Sequence, residues 1–271
     1  MRALVWTAVT VAAVAGLVPA ASAAPVSLLP HRAVYDLRLA ESPAGGGESM
    51  ASVSGRMVFE FTGTPCEGYT VNFRFVIEMT DGEGQATVTD LRTSTFEDGP
   101  GTAFEFLSQT YTNQVLTEEV KGSAARTDKE LTVQLTTPAE AKVSFAPDVI
   151  FPTAHLVRII EAAKAGTSVV STEIFDGSET GDKVYATSTI IGQEETGPVT
   201  GPEATLQTRR RWPVTVAYFD AAATGDLTPE YSIGFDLYEN GVSSDLRMDY
   251  GDFALDGDLK HFEALPAAPC E

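Results

Sequence analysis

Apolar and polar residues alternate one by one along several stretches of this chain. In residues 70–79 every odd-numbered residue is apolar, and Asn72, Arg74 and Glu78 lie among them. A period of two places successive side chains on opposite faces of a β-strand, so that one face is buried and the other is wet. The pattern predicts a mainly β protein. The same spacing recurs at Met57/Phe59/Phe61, Leu131/Val133/Leu135, Val214/Val216/Tyr218, Ile233/Phe235/Leu237 and Leu246/Met248/Tyr250.

Turn signals separate these stretches and indicate antiparallel pairing. They are Asp81-Gly82, Asp98-Gly99-Pro100, Asp176-Gly177, Asn240-Gly241 and Asp256-Gly257. Asn240-Gly241 lies between two alternating stretches and predicts a type I′ hairpin, because that turn needs positive φ at both central residues. Many antiparallel strands at short spacing favour a curved sheet, a barrel or a sandwich.

One segment follows a helical period instead. We expect a helix at about 153–165, with Thr153 as its N-cap and Gly166 as its C-terminal stop. Its apolar stripe is expected to pack into the concave face of the sheet and to fill it. The helix divides the strands into two groups within one predicted domain, residues 24–271. The apolar residues at helical spacing are Leu156, Ile159, Ile160 and Ala163.

The first 23 residues have the organisation of a cleavable secretory signal. Arg2 supplies a positive start, an apolar stretch runs to Val18, and residues 21–23 (ASA) form the small-x-small pattern of a cleavage site. We therefore expect a signal peptide at 1–23 and a mature protein in the bacterial periplasm. The alternative is a retained membrane anchor, which the shortness of the apolar stretch disfavours.

The chain has two cysteines, Cys66 and Cys270. An even, minimal number of cysteines in an exported protein favours one disulfide, which would tie the end of the chain to a point near its start. Two free thiols and a redox-active pair are the alternatives. An oxidising compartment disfavours the first, and the absence of a Cys-x-x-Cys spacing disfavours the second.

Charge restricts the classes of partner. The chain carries 38 acidic and 18 basic residues, a formal net charge of −20. Such a charge repels nucleic-acid phosphates and anionic lipid head groups, so neither is expected as a primary partner. The acidic residues are spread along the sequence, which is typical of a solvated surface.

Candidate chemical residues are few. The histidines, His31, His155 and His261, are far apart in sequence and show no metal-ligand spacing. His155 falls in the first turn of the predicted helix, where we expect a packing or hydrogen-bonding role, and His31 is expected to pair with acidic neighbours. There is no Gly-x-Ser-x-Gly elbow. The sequence therefore predicts no catalytic residue, no metal site and no cofactor.

Two acidic loops and one basic run are candidate ion sites. Residues 176–182 and 249–258 combine aspartates with glycine turns, as calcium loops do, but lack the spacing of a calcium-binding motif. We interpret both as ordinary turns. Arg209, Arg210 and Arg211 are interpreted as surface charge that balances nearby carboxylates, with a phosphate or an acidic partner as the alternative.

Seven segments follow one another along the mature chain: 29–37 (LPHRAVYDL), 66–70 (CEGYT), 151–156 (FPTAHL), 176–179 (DGSE), 210–213 (RRWP), 238–242 (YENGV) and 249–253 (DYGDF). Together they resemble the EipB-like family of alphaproteobacterial periplasmic proteins. The resemblance implies a β-spiral, a long bent antiparallel sheet wound around one central helix and closed by a disulfide. It also implies a role in maintaining cell-envelope integrity under stress, a periplasmic tetratricopeptide-repeat protein as a partner, and no known catalytic activity.

Three functional hypotheses follow. The leading one is a non-enzymatic envelope protein that acts by binding a periplasmic partner. The second is a carrier of a lipid or another apolar ligand, since a curved sheet can enclose an apolar cleft; a helix that fills the cleft would count against it. The third is a hydrolase that acts on cell-wall material through paired carboxylates, for which no distinguishing spacing is found.

Overall fold

The computed structural model describes residues 26–40, 50–206, 208–225, 228–267 and 270, so the predicted signal peptide at 1–23 lies outside the described residues. These residues form fourteen β-strands, one α-helix and a short 3₁₀ helix, Gly201–Thr205. No helix within them is long and apolar enough to cross a membrane. The elements are β1 (His31–Leu39), β2 (Met50–Thr64), β3 (Gly68–Asp81), β4 (Ala86–Glu97), β5 (Ala103–Thr112), β6 (Val115–Arg126), β7 (Leu131–Thr137), β8 (Ala141–Phe145), α1 (Pro152–Lys164), β9 (Val169–Ile174), β10 (Tyr185–Ile191), β11 (Arg211–Asp220), β12 (Tyr231–Tyr238), β13 (Ser243–Asp249) and β14 (Ala254–Ala264).

All fourteen strands belong to one antiparallel sheet, in the order β8-β7-β6-β5-β4-β3-β2-β1-β14-β13-β12-β11-β10-β9. The sheet does not close, and β8 and β9 stand at its two edges. Ile150, which follows β8, forms a parallel bridge with Ile174 of β9. The amide of Ile150 donates to the carbonyl oxygen of Glu173 at 3.0 Å, and the amide of Phe175 donates to that of Ile150 at 2.9 Å. The prediction of a long, bent antiparallel sheet is confirmed.

Two turn predictions are wrong in detail. Asp256-Gly257 lies inside β14, where a Cβ on Gly257 would lie 3.1 Å from the Cβ of Leu246 and 3.2 Å from the Cδ2 of Leu37. Close packing within the sheet therefore explains this glycine. In the β12–β13 hairpin Gly241 has a φ of +86°, but Asn240 is not in the positive-φ region. The connection is a three-residue loop with a glycine bulge, instead of a type I′ turn.

The helix α1 begins one residue earlier than predicted. Its N-cap is Phe151 with Pro152 at the first helical position, so the prediction of Thr153 as N-cap is wrong. A proline is favourable there because its missing N–H has no partner in the helix. Gly166, with a φ of +74°, follows the helix end, and the amide of Thr167 donates to the carbonyl oxygen of Ala162 at 2.9 Å. Gly166 is thus confirmed as the C-terminal stop, in a Schellman arrangement.

One stripe of α1 packs against the sheet. Ile159, Ile160 and Ala163 are buried, as the helical spacing predicted. They pack on the inner faces of β9 to β12, where Trp212 and Leu237 lie at the centre of the contact. A second apolar cluster joins β1, β2 and β3 to β13 and β14. A third lies under β5, β6 and β7. The helix therefore occupies one part of the interior, next to the last strands.

Cys66, in the β2–β3 turn, is joined to Cys270 by a disulfide. The two Cα atoms are 5.7 Å apart, and the residues are 204 positions apart in sequence. Both cysteines are exposed. The bond fastens the last residues of the chain to the surface of its first half.

Candidate ligand-binding cavity

The inner faces of two parts of the sheet line an apolar cavity of about 370 Å³. Strands β1 to β4 lie on one side and β12 and β13 on the other, with one residue of α1 between them. Protein interiors are close-packed and seldom contain voids larger than a water molecule, so a space of this size is a candidate binding site. Its lining residues are His31, Tyr35, Met57, Phe59, Phe73, Phe75, Leu91, Leu156, Ile233, Phe235, Gly241, Ser243, Leu246, Met248 and Tyr250.

The alternating pattern of the sequence produces this lining. On β2, β3, β12 and β13 the apolar residue of each pair points inward, and the inward residues are bulky. Four of these residues, together with Leu91 of β4, are nonetheless only partly buried. Met57 and Met248 add flexible, polarisable walls that can adapt to an occupant. The partly buried residues are Phe59, Phe73, Leu91, Ile233 and Phe235.

Two polar groups of the lining, on His31 and Tyr35, form hydrogen bonds within the protein. The Nδ1 of His31 lies 2.7 Å from the carbonyl oxygen of Leu29, so Nδ1 carries the proton that this oxygen accepts. Burial lowers the pKa of His31 below its usual 6.5, which leaves the ring neutral at neutral pH. The Tyr35 hydroxyl donates to the carbonyl oxygen of Ser243 at 2.7 Å, and burial raises its pKa. Among the described residues, none that lines the cavity is charged at neutral pH.

Leu156 of α1 lines the cavity beside the β12–β13 loop. A Cβ placed on Gly241 would lie 2.7 Å from the Cδ2 of Leu28 and 3.5 Å from the Cδ2 of Leu156. Glycine leaves room for these two side chains, and its φ of +86° favours glycine as well. Leu156 thus lines the cavity, while the buried stripe of α1 packs on β9 to β12. The expectation that the helix fills the concave face is therefore wrong.

Tyr250, directly after β13, is the most exposed of the described lining residues. Tyr250 is 39% exposed, and the other described lining residues are buried or partly buried. Its ring stacks on that of Phe253 at a centroid distance of 5.1 Å. The flanking Asp249 is half-buried and Asp252 is exposed. Asp249 alternates with Met248 and therefore lies on the other face of β13, where its Oδ1 accepts from the amide of Gly251 at 2.9 Å.

Comparison with known proteins places this architecture in a family. The model of the EipB-like family matches residues 22–266. The chain belongs to the EipB-like family. It is 42% identical over 248 residues to the cell envelope integrity protein EipB of Brucella abortus (strain 2308), covering 90% of this chain and 88% of that protein. The resemblance stated from the sequence is thereby confirmed.

A solved structure shows the same fold. A crystal structure of a β-barrel-like protein of a domain of unknown function, also from Brucella abortus, matches with a TM-score of 0.81 and 39% identity. The match covers 89% of this chain and all of that chain. No enzyme is named among these matches. The mainly β architecture of this EipB-like protein is therefore shared with its relatives.

The histidines of this EipB-like protein have structural surroundings. His155 is buried, with its Nε2 3.4 Å from the Thr187 hydroxyl, and burial together with the charge of Arg158 lowers its pKa to about 4. His31 is not paired with acidic residues as expected; its ring packs between Phe59, Phe61 and Phe262. His261 is exposed on β14. In the part of the chain that the structure describes, no three His, Cys, Asp or Glu side chains converge to hold a metal ion.

The first acidic loop is a packing element. In residues 176–182, Gly177 approaches the ring of Phe106 and Gly181 approaches Val120, so the loop lies on the inner face of β5 and β6. The Oδ1 of Asp176 accepts from the amide of Ser178 at 2.9 Å, as in an ordinary Asx turn. The second acidic stretch, residues 249–258, covers the end of β13, the turn that contains Tyr250 and the first residues of β14.

The basic run balances carboxylates, as the sequence predicted. Arg210 pairs with Glu194 at 2.7 Å. Arg211 pairs with Glu195 at 2.8 Å and with Asp236 at 3.2 Å. These contacts place the guanidinium groups in local ion pairs of the β10–β12 region.

Proposed function

We propose that this protein maintains the integrity of the cell envelope as a non-catalytic binding protein of the periplasm. The observation that carries the proposal is the 42% identity, over 90% of the chain, to a relative named cell envelope integrity protein. The signal-like residues 1–23 and a cysteine pair suited to an oxidising compartment support export. The buried histidines and the neutral cavity supply no nucleophile–base pair, which favours binding over catalysis.

A deletion strain tests the role. We expect cells without this protein to lose viability on a membrane-active detergent or a cell-wall antibiotic, and expression of the wild-type chain to restore it. A deletion strain as resistant as its parent would contradict the proposal. The non-catalytic part has its own test, in which purified protein is incubated with peptidoglycan. Release of soluble fragments, abolished by changing one carboxylate, would overturn it in favour of a cell-wall hydrolase.

The first proposed binding partner is another protein. Family resemblance points to a periplasmic tetratricopeptide-repeat protein under envelope stress. Crosslinking in intact cells, followed by identification of the captured proteins, tests it. We expect a repeat protein to be enriched over a strain that expresses an unrelated periplasmic protein. Recovery of nothing above that background would contradict this partner.

The cavity favours a second candidate function, carriage of an apolar ligand. The sequence counted against a carrier because the helix was expected to fill the concave face, and α1 leaves about 370 Å³ there. Mass spectrometry of organic extracts from protein purified without detergent tests this function. Near-stoichiometric recovery of one class of lipid would support it, and recovery no greater than from an unrelated periplasmic protein would count against it.

A further inference from the structure

We propose that the cavity binds an uncharged, largely apolar molecule that carries a hydroxyl group, and that this hydroxyl donates a hydrogen bond to the Nε2 of His31. The inference rests on the second candidate function, carriage of an apolar ligand, and names the polar group that such a ligand bears. It is carried by one buried acceptor without a partner, in a lining that is otherwise mostly apolar.

The imidazole of His31 has one free acceptor. Its Nδ1 carries the proton that the carbonyl oxygen of Leu29 accepts, so Nε2 of the neutral ring has a lone pair and no proton. His31 forms no other hydrogen bond with a described residue. Nε2 is not one of the unpaired polar atoms that other atoms enclose completely, so it borders open space. His31 lines the cavity and is only 3% exposed, so that space is the cavity.

The surroundings of the ring hold this acceptor in place. The ring packs against Phe59 and Phe262 at centroid distances of 5.6 and 5.7 Å, and the hydrogen bond to Leu29 fixes its rotation. Burial lowers the pKa of His31, so Nε2 remains an acceptor at neutral pH. Among the described lining residues Ser243 also has a hydroxyl without a partner, but Ser243 is partly exposed and its hydroxyl can rotate toward solvent. Nε2 is therefore the polar group that selects a ligand.

The free acceptor selects a donor, and the rest of the lining disfavours a charge. A buried acceptor without a partner is costly, and a ligand that donates to it removes that cost. An ammonium group also donates, but none of the described lining residues is charged at neutral pH, so the ammonium would lose water without gaining a counterion. A carboxylate has no proton to donate. A hydroxyl on a hydrocarbon body suits both the acceptor and the apolar walls.

Two isomeric probes, 1-octanol and heptyl methyl ether, test the assignment. They contain the same atoms, but only the alcohol has a proton to donate. In an apolar cavity without a free acceptor the ether should bind more tightly, because an alcohol loses more hydrogen bonding on leaving water. With Nε2 as acceptor, we expect calorimetric titration of the wild-type protein to give a Kd about fivefold tighter for 1-octanol than for the ether. Octylammonium, a charged donor with the same chain, should bind at least about fivefold more weakly than 1-octanol.

Matched variants locate the acceptor and the cavity. His31→Phe keeps a ring of similar size but removes Nε2, so it should weaken 1-octanol binding about fivefold and leave the Kd of the ether unchanged. His261→Phe, at an exposed position of β14, should change neither Kd. Ile233→Trp should abolish binding of both isomers by occupying the cavity, whereas Ile190→Trp, at an exposed position of β10, should not.

The outcomes separate this inference from the function on which it rests. If the ether binds wild-type protein as tightly as 1-octanol, or if His31→Phe keeps the preference for 1-octanol, the hydroxyl assignment is overturned and carriage of an apolar ligand still stands. Octylammonium that binds as tightly as 1-octanol would overturn the restriction to uncharged ligands. Binding of neither isomer would overturn the inference together with the carrier function, whereas the deletion strain tests the envelope role independently. The comparison of isomers on the wild-type protein decides the assignment even if His31→Phe fails to fold.

Discussion

The carboxylate of Glu97, at the end of β4, accepts a hydrogen bond from the backbone amide of Thr153 at 2.7 Å. It also accepts from the amide of Ala154 at 3.0 Å. The helix has no side-chain cap of its own, because its N-cap residue is Phe151. Glu97 therefore satisfies two free amides of α1 and interacts favourably with the positive end of the helix dipole. Through this contact β4 fixes the start of the helix, whose Leu156 lines the cavity.

Replacement of Glu97 tests this fastening. Glu97→Ala should lower the free energy of unfolding by about 2 kcal/mol, because one buried and one partly buried amide lose their acceptor. Glu97→Gln keeps one acceptor oxygen and should lie between Glu97→Ala and the wild type. Glu105→Ala, an exposed position on the neighbouring β5, should change stability by less than about 0.5 kcal/mol. Urea unfolding measures all three, and equal values for Glu97→Ala and Glu105→Ala would contradict the role.

The disulfide should stabilise the fold through the size of the loop that it closes. Cys66 and Cys270 are 204 positions apart, so the crosslink removes much of the conformational freedom of the unfolded chain. The double variant Cys66→Ser/Cys270→Ser should lose about 2–4 kcal/mol of stability and melt at a lower temperature. Reductant should lower the melting temperature of the wild type and leave the double variant unchanged. A wild-type melt that is the same with and without reductant would contradict the prediction.

Stability should fall on acidification through His155. The pKa of His155 is lowered from 6.5 to about 4 by burial and by Arg158, so the unfolded chain binds more protons between those values. The contribution of His155 to the free energy of unfolding is complete above pH 6.5. It is lost as the pH falls toward 4, by up to about 3 kcal/mol. The pKa of His31 is also lowered, so this residue too makes the protein less stable as the pH falls. Burial raises the pKa of Glu97, so its contribution has the opposite sign and declines as the pH rises above its usual 4.5.

A matched pair of variants isolates the histidine. His155→Gln should flatten the decline of the melting temperature between pH 6.5 and 4, while Gln can still bond to the Thr187 hydroxyl. His261→Gln, at an exposed position of β14, should keep the wild-type profile. Parallel profiles for the wild type and His155→Gln would show that another group causes the acid sensitivity.

Local patterns predicted the elements of this fold well, because the alternation of apolar and polar residues within each strand indicates which face is buried. Phe75 and Ile77 are buried on β3, and Leu131 and Val133 on β7, as the period of two required. Gly257 was misread as a turn because a glycine required by close contact with Leu246 looks the same in sequence as a glycine required by a turn. Only the packing of neighbouring strands distinguishes the two.

The candidate site was predicted less well, since it depends on contacts between distant segments. The alternating residues of β2, β3, β12 and β13 indicated inward apolar faces, but not the distance between them. The apolar stripe of α1 was correctly assigned to the sheet, yet nothing in the sequence showed that it packs on β9 to β12 and leaves the cavity beside it. Glu97 was missed for the same reason; the available signal was a helix start, Phe151-Pro152, without a capping side chain.

The loop after β9 allows the cost of side-chain packing to be separated from the cost of backbone conformation. Gly177 has a φ of +70°, and a Cβ there would lie 2.5 Å from the Cγ of Phe106, which is buried. Gly84 has a similar φ of +84° but no atom within 4 Å of its Cβ position. Gly84→Ala should therefore cost about 1–2 kcal/mol from the left-handed conformation alone. Gly177→Ala should cost a further 1–3 kcal/mol or so, because Phe106 must move within the β5–β7 cluster. Urea unfolding of both variants measures the difference, and equal losses would mean that the loop does not bear on Phe106 in solution.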